Sequence, residues 1–254
     1  MNTLEFNILL PAFIAGLLVL ATHIPFGMKI LARGVIFADL AVAQIAGLGV
    51  VIAGLLELSD RPLLVQGIAV ASALCGAALL ALIERHLSEV KEACIGLTFV
   101  LAASGGILLM SRDVHSGEHL KDLLIGQILW VSNSQLIATA LLSAVLLMVW
   151  HNRQARLGTL GFYALFALAV TASVQLVGVY LVFASLIVPA LATHRIVAHR
   201  MAYAFAIGIV GYAVGLMLSA WFDLPGGATI VWAMAITGGV AMCGGRLISG
   251  SRCY

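Results

Sequence analysis

The sequence predicts an all-α fold, a polytopic bundle of transmembrane helices that forms a single domain over residues 1–254. Of its 254 residues, 63% are hydrophobic and only 9% are charged, whereas soluble domains carry about 25% charged residues. A transmembrane helix needs about 20 mostly apolar residues to cross the hydrocarbon core, and the chain contains several such runs separated by short charged stretches. No soluble domain is expected.

Charged residues mark the ends of the predicted helices, because each Asp, Lys or Arg costs about 2.5 to 3.5 kcal/mol at the centre of an inserted helix. The first run lacks the basic segment and cleavage site of a signal peptide, so we expect it to remain as a helix. Cutting at the charges predicts eight or nine spans. They cover residues 6–27, 35–56, 63–83, 93–110, 134–150, 158–176, 178–194, 201–221 and 227–246.

The sixth and seventh spans share one charge-free stretch, residues 157–194. As a single helix it would be about 57 Å long, nearly twice the hydrocarbon thickness of about 30 Å. The chain must therefore turn, and Gln175 and Gly178 are the predicted turn. The alternative is a long helix followed by a short re-entrant piece, which would lower the count from nine.

Basic residues predict the orientation of the bundle, because short cytoplasmic loops carry an excess of Lys and Arg. With the loops on alternating sides, ten of the 13 basic residues fall on the side that holds the C-terminus. The C-terminus is therefore expected in the cytoplasm. The basic residues lie between apolar runs and form no continuous basic face, so nucleic acid is not an expected partner.

Two spans carry residues whose burial needs an explanation. Asp39 lies inside the second span, and an intramembrane carboxylate marks a transport pathway unless it pairs with a neighbouring helix or caps one. Gln44 follows five residues later, on a different face of the helix. His23 precedes Pro25 near the predicted end of the first span, and we interpret it as an interfacial or packing residue.

An outer loop is dense in potential metal ligands: His115, Glu118 and His119, followed by Asp122. Zinc accepts such nitrogen and oxygen ligands, so the loop either collects a passing metal ion or is an ordinary solvated loop. The string HSGEH also matches the H-x-x-E-H pattern of a metalloprotease group. Its serine and glycine disfavour the rigid helix that such a site requires.

A basic segment follows the seventh predicted span. Pro189 is expected to close that span, and His194, Arg195, His199 and Arg200 come after it. We expect a short amphipathic helix on the cytoplasmic surface that docks onto another protein. The alternative is an ordinary positively charged cytoplasmic loop.

The sequence contains no G-x-x-x-x-G-K-[ST] motif, the phosphate-binding loop of many ATPases. It also lacks the G-x-S-x-G and H-E-x-x-H motifs of hydrolases. The chain is therefore not expected to be an enzyme, and ATP-driven work would need a second chain.

Several segments together resemble the metal-cation permease family of ATP-binding-cassette (ABC) importers, the zinc- and manganese-uptake type. They are spread over nearly the whole chain in the order of the family. The matching stretches are ARGVIFADLAVAQIAGLG, VKEACIGLTFVLAASGGILLMS, EHLKDLLIGQILWVS, LVGVYLVFASLIVPALATHR and DLPGGATIV.

The resemblance implies a permease subunit in a bacterial inner membrane that works as a homodimer around one central path. It further implies a cytoplasmic ATP-binding subunit that docks onto VPALATHRIVAHR as a coupling helix, and an extracytoplasmic metal-binding protein that delivers the ion. The cargo would be a divalent metal ion, Zn²⁺ first, then manganese or iron. No cofactor is expected in this chain, since ATP would bind to the partner.

The second span departs from the pattern of many family members, which have Ser-His after the aspartate. Val42 and Ala43 occupy those positions here, and Gln44 could supply some of the missing polarity. Without the histidine the identity of the ion stays open. A gradient-driven cation transporter or channel with Asp39 as a relay is the alternative function, and an intramembrane hydrolase that uses HSGEH is a third.

Overall fold

The computed structural model describes residues 3–58, 60–111, 128–153 and 156–249. Within these ranges every regular element is a helix, which confirms the all-α prediction. Nine α-helices, labelled α1 to α9, and one short 3-10 helix follow one another. They are α1 Thr3–Arg33, α2 Ala38–Leu55, α3 Pro62–His86, α4 Lys91–Met110, the 3-10 helix Ile128–Trp130, α5 Asn133–Arg153, α6 Thr159–Val177, α7 Val179–Ala192, α8 Arg200–Phe222 and α9 Gly226–Ser249.

Eight helices in the described part of the chain are long and apolar enough to cross a membrane. The exception is α7, whose 14 residues rise only about 21 Å. Between α6 and α7, Gly178 has a φ of 82°, a conformation that glycine adopts without steric cost. The predicted turn is confirmed at Gly178. The helix α7 that follows is short, as in the alternative prediction of a short piece after the turn, which would lower the count of crossings from nine.

The first helix extends beyond its predicted end at residue 27 and reaches Arg33. Pro25 lies inside α1 and does not end it, since neighbouring helices and hydroxyl groups in a membrane protein can satisfy the backbone groups that proline frees. The chain then turns at Gly34, whose φ is 65°. His23 therefore lies about 15 Å from the end of α1, not at a helix end as the sequence suggested.

The described chain divides into two compact units, and the first contains most of α1, the 3-10 helix, the start of α5, and α7 to α9. In this unit α9 packs against α8 and α7. A Cβ atom added at Gly27 of α1 would overlap the carbonyl oxygen of Leu186 in α7, so a glycine is what allows these two backbones to approach. The unit comprises Met1–Ala32, Ile125–Ala140 and Leu176–Tyr254.

The second unit contains α2, α3 and α4 and most of α5 and α6. In it α2 packs against both α3 and α4, and its buried residues are mostly alanines. Gly49 lies so close to Ser72 of α3 that a Cβ atom there would overlap the hydroxyl group. The small residues of α2 thus form a packed interface, as the sequence indicated. The unit comprises Arg33–Leu124 and Leu141–Gln175.

Candidate functional site

Asp39 lies in the first turn of α2 and is completely buried. In the part of the chain that the structure describes, neither of its carboxylate oxygens has a hydrogen-bond partner. Asp39 does not cap the helix, because the N-cap residue of α2 is Phe37 and no side chain makes a capping hydrogen bond there. Helix capping and pairing with a neighbouring helix would each explain why the carboxylate is buried. Neither is found among the described residues.

The position of Asp39 at the start of α2 differs from the prediction, which began the span at residue 35 and placed the carboxylate further inside. The N-terminus of a helix carries a partial positive charge that favours a nearby carboxylate by about 0.3 to 1 kcal/mol. Burying an ion costs several kcal/mol in a real protein. The helix dipole thus offsets only part of this cost.

Arg33, the basic residue before α2, is not a partner for Asp39, because its guanidinium group interacts with other side chains. Nη1 of Arg33 donates to both carboxylate oxygens of Glu84 in α3, at 3.1 and 3.0 Å. The guanidinium carbon also lies 4.2 Å from the ring centroid of Phe162 in α6, within range for a cation–π interaction. Tyr163 donates a further hydrogen bond of 2.6 Å to Glu84.

The turn that leads into α2 is held by the first turn of α4. The ammonium group of Lys91 donates to the backbone carbonyl of Arg33, and the backbone N–H of Phe37 donates to Oε1 of Glu92 at 3.1 Å. Both ends of the turn are therefore fixed. Asp39, which follows it, is positioned by backbone contacts that leave its own side chain free.

Gln44 is half-buried in α2. Five residues separate it from Asp39, which corresponds to a rotation of about 140° around the helix. The structure therefore places the two side chains on different faces of α2. It does not bring them together within one turn.

The basic segment after α7 is not a helix in this structure. Pro189 lies inside α7, which continues to Ala192, so the prediction that this proline closes the span is wrong. Residues 193–199 form turns, and His199 has a φ of 56°, a left-handed conformation that helix interiors exclude. The predicted coupling helix is thus a turn segment.

Most of the side chains in this turn segment face solvent. His194, Arg195 and His199 are exposed, and Val197 is 96% exposed. Arg200, the first residue of α8, donates to the carbonyl oxygen of Ala190 at 3.2 Å, which ties the two ends of the segment together. The segment therefore exposes its basic groups and the apolar side chain of Val197 to solvent.

His23, which the sequence analysis interpreted as an interfacial or packing residue, is a buried polar residue. It is 1% exposed, and its Nδ1 atom lies 3.0 Å from the carbonyl oxygen of Val19, one turn earlier in α1. Its Nε2 atom has no partner among the described residues. Composition gave no signal for this burial, because a histidine beside a proline near a span end is typical of an interface.

The predicted metal ligands of the outer loop, His115, Glu118 and His119, lie outside the described residues. Among the residues that the structure does describe, no group of three or more His, Cys, Asp or Glu side chains is arranged to hold a metal ion. The described part thus offers single ligands and no preformed cage.

These features define a class of protein: a multi-pass membrane protein that buries a carboxylate with no hydrogen-bond partner among its described residues, as transport proteins do. The sequence profile of the family described as "ABC 3 transport family" matches residues 5–159 and 153–244. The chain belongs to this family. The family resemblance noted in the sequence is thereby confirmed.

A curated protein from Haemophilus influenzae, named "Probable iron transport system membrane protein", is 30% identical to the chain over 167 residues. The match covers 57% of this chain and 61% of the relative. The chain thus aligns with about three fifths of that relative's length.

Two solved structures share the fold. PsaBC from Streptococcus pneumoniae, solved in complex with Fab, matches with a TM-score of 0.69 and 22% identity over 92% of this chain and 89% of that one. A proposed metal-chelate type ABC transporter in an inward-facing conformation matches with a TM-score of 0.61 and 16% identity, over 92% and 85% of the two chains. At these identities the likeness concerns the fold alone.

Proposed function

We propose that this chain is the membrane-spanning permease subunit of an ABC importer that carries a divalent metal ion into the cytoplasm. Zinc is the first candidate for the cargo, followed by manganese and iron. Membership of an ABC transport family supports the class of transporter, and the name of the Haemophilus influenzae relative favours a metal as cargo. The single observation that carries the proposal is the buried, unpartnered carboxylate of Asp39.

The metal-binding chemistry of Asp39 suits a transport path better than a site that stores the ion. A carboxylate is a hard oxygen ligand that divalent cations accept, and one carboxylate without a surrounding cage holds an ion only weakly. Weak holding is what passage requires, because an ion must leave the site as readily as it enters. Gln44 is proposed as a second polar contact further along α2, on the path but not in the same site as Asp39.

The energy for transport is assigned to a partner, since the sequence carries no phosphate-binding loop of the G-x-x-x-x-G-K-[ST] type. A cytoplasmic ATP-binding subunit would dock onto the turn segment 193–199 and its flanks. The basic groups of this turn segment would contact the ATPase, and Val197 would enter an apolar pocket of the ATPase. The coupling residues are Pro189, His194, Arg195, His199 and Arg200.

The complete transporter would contain two copies of this chain around one path in a bacterial plasma membrane. An extracytoplasmic metal-binding protein would deliver the ion from the other side. In this proposal His115, Glu118 and His119 receive the ion before it enters the membrane. The nitrogen and oxygen ligands of that loop suit zinc.

Metal uptake by vesicles that contain the chain and its ATPase tests the role of Asp39. Asp39→Asn keeps the shape of the side chain and removes its charge, so we expect uptake of zinc and manganese to fall at least tenfold. Asp60→Asn is the matched control, because Asp60 is exposed in the loop before α3 and should not affect uptake. Undiminished uptake by the Asp39 variant would refute the proposed path.

A further inference from the structure

His23 presents a free imidazole nitrogen to the interior of the first unit. The residue is 1% exposed, as is Thr22 beside it. Nδ1 of His23 lies 3.0 Å from the carbonyl oxygen of Val19 and 3.0 Å from the hydroxyl of Thr22. Nε2 is buried and has no hydrogen-bond partner within the described ranges.

The hydrogen bonds of Nδ1 assign the tautomer of the neutral ring. The carbonyl oxygen of Val19 can only accept, so Nδ1 must carry the proton and donate. The hydroxyl of Thr22 donates to the same carbonyl at 3.1 Å, which leaves its oxygen to share the N–H of His23. The opposite tautomer would place Nδ1 against a carbonyl lone pair and bury an N–H at Nε2 without an acceptor. The lone pair is therefore on Nε2.

This arrangement matches that of histidines that bind metals. A ligating histidine usually donates its other ring N–H to a carbonyl or carboxylate, which fixes the tautomer and the orientation of the ring. In His23 the carbonyl of Val19 provides this support from within α1. The ring is thus prepared to donate the Nε2 lone pair to a cation.

No described residue of the first unit forms a hydrogen bond with Nε2 of His23. It lies on the same face of α1 as Leu20 and Gly27, which approach Gly208 of α8 and Leu186 of α7.

Ser185 and Tyr212, two polar residues in the same unit, already have hydrogen-bond partners. The hydroxyl of Ser185 donates to the carbonyl of Leu181 at 2.7 Å, so the hydroxyl of Tyr212 is the donor in the 2.9 Å bond between Tyr212 and Ser185. Since Nε2 of His23 has no hydrogen-bond partner among the described residues, its lone pair is available to a cation.

We propose that Nε2 of His23 is a ligand for the transported ion as it passes α1, and that the cargo is consequently a transition-metal ion that accepts nitrogen. This inference rests on the proposed transport function and deepens it. Imidazole selects zinc, iron, copper and nickel over magnesium and calcium, which oxygen ligands suit.

Three variants separate a ligand from a packing residue in vesicles that hold the chain with its ATPase. His23→Asn places an amide N–H where Nδ1 lies and keeps the bond to Val19, but removes the ligand atom. His23→Gln places an amide near the position of Nε2 and offers an oxygen. Ile24→Val shortens a buried apolar side chain next to His23 and serves as the control for local packing.

We expect His23→Asn to lower kcat/KM for zinc uptake at least tenfold without changing the amount of protein in the membrane. His23→Gln should lower zinc uptake similarly but keep manganese uptake within about threefold, since an amide oxygen suits manganese. Ile24→Val should transport like the native chain. Unchanged zinc kinetics in His23→Asn would overturn the inference.

A measurement on the native protein covers the case in which a variant does not accumulate. X-ray absorption at the zinc edge, recorded on the zinc-loaded complex with an ATPase that cannot hydrolyse ATP, should show imidazole nitrogen at about 2.0 to 2.1 Å. A shell of oxygen alone would overturn the role of His23. If Asp39→Asn loses uptake and His23→Asn keeps native kinetics, the inference about His23 is rejected and the proposed function stands. If the native complex takes up no metal, both are rejected.

Discussion

Asp39 is completely buried and has no hydrogen-bond partner among the described residues. A buried polar group without a partner costs about 1 to 3 kcal/mol, and more when it is charged. Asp39→Asn removes the charge at nearly constant volume, so we expect the variant to unfold about 2 to 4 °C higher than the native chain. Thermal unfolding in detergent measures this, with Asp60→Asn as the exposed control. A lower melting temperature would show that an unseen partner stabilises the carboxylate.

At the same scale, the sequence could identify Asp39 but not His23. A carboxylate in an apolar run stands out because its insertion cost is large and depends little on its neighbours. The significance of His23 depends on which ring nitrogen is engaged and on the length of α1 past Pro25. Those properties arise from hydrogen bonds and tertiary packing, which no local pattern encodes.

At the scale of the helices, the close approach of α1 and α7 depends on one glycine. A methyl group at Gly27 would meet the backbone of Leu186, which cannot move aside as a flexible side chain could. We expect Gly27→Ala to destabilise the protein by about 1 to 3 kcal/mol. Gly67→Ala in α3 meets nothing within 4 Å and should be neutral or slightly stabilising. Unfolding in detergent compares the two, and equal stability would contradict this packing.

The turn segment after α7 carries a second prediction at this scale. Val197 is 96% exposed, and if it enters a pocket of the ATPase, Val197→Ser should weaken co-purification of that subunit at least threefold. The matched control is Leu63→Ser, because Leu63 is 86% exposed at the end of α3 that is predicted to face outward. Equal retention of the ATPase by both variants would contradict docking at this segment.

Helix ends were predicted closely where a charge lies beside them and poorly where proline was the signal. The boundaries of α3 and α8 fall within a few residues of those expected, because charged residues limit the apolar run. Pro189 was predicted to close its span, yet it lies inside α7, and Pro25 lies inside α1, which continues past its predicted end. In a membrane interior the freed carbonyl of a proline site can be satisfied by neighbours, so proline is a weaker stop signal there than in water.

At the scale of the whole molecule, eight long apolar helices among the described residues and membership of an ABC transport family agree on a membrane transport protein. The class followed from composition and from motifs spread along the chain. The identity of the cargo did not follow from the sequence, because selectivity depends on the geometry of a few ligand atoms, which the sequence does not contain. The proposed roles of Asp39 and His23 are the ones to test for the choice of cargo.

The central claim is that ATP hydrolysis by a partner drives a metal ion through this chain. The most direct measurement is zinc uptake by sealed vesicles that contain the chain with either an active ATPase or one unable to hydrolyse ATP, at zero ion gradient. We predict zinc accumulation against its concentration only with the active ATPase, and its loss in Asp39→Asn. Accumulation that is equal with the inactive ATPase, or that follows an imposed ion gradient, would contradict the claim and indicate a gradient-driven transporter.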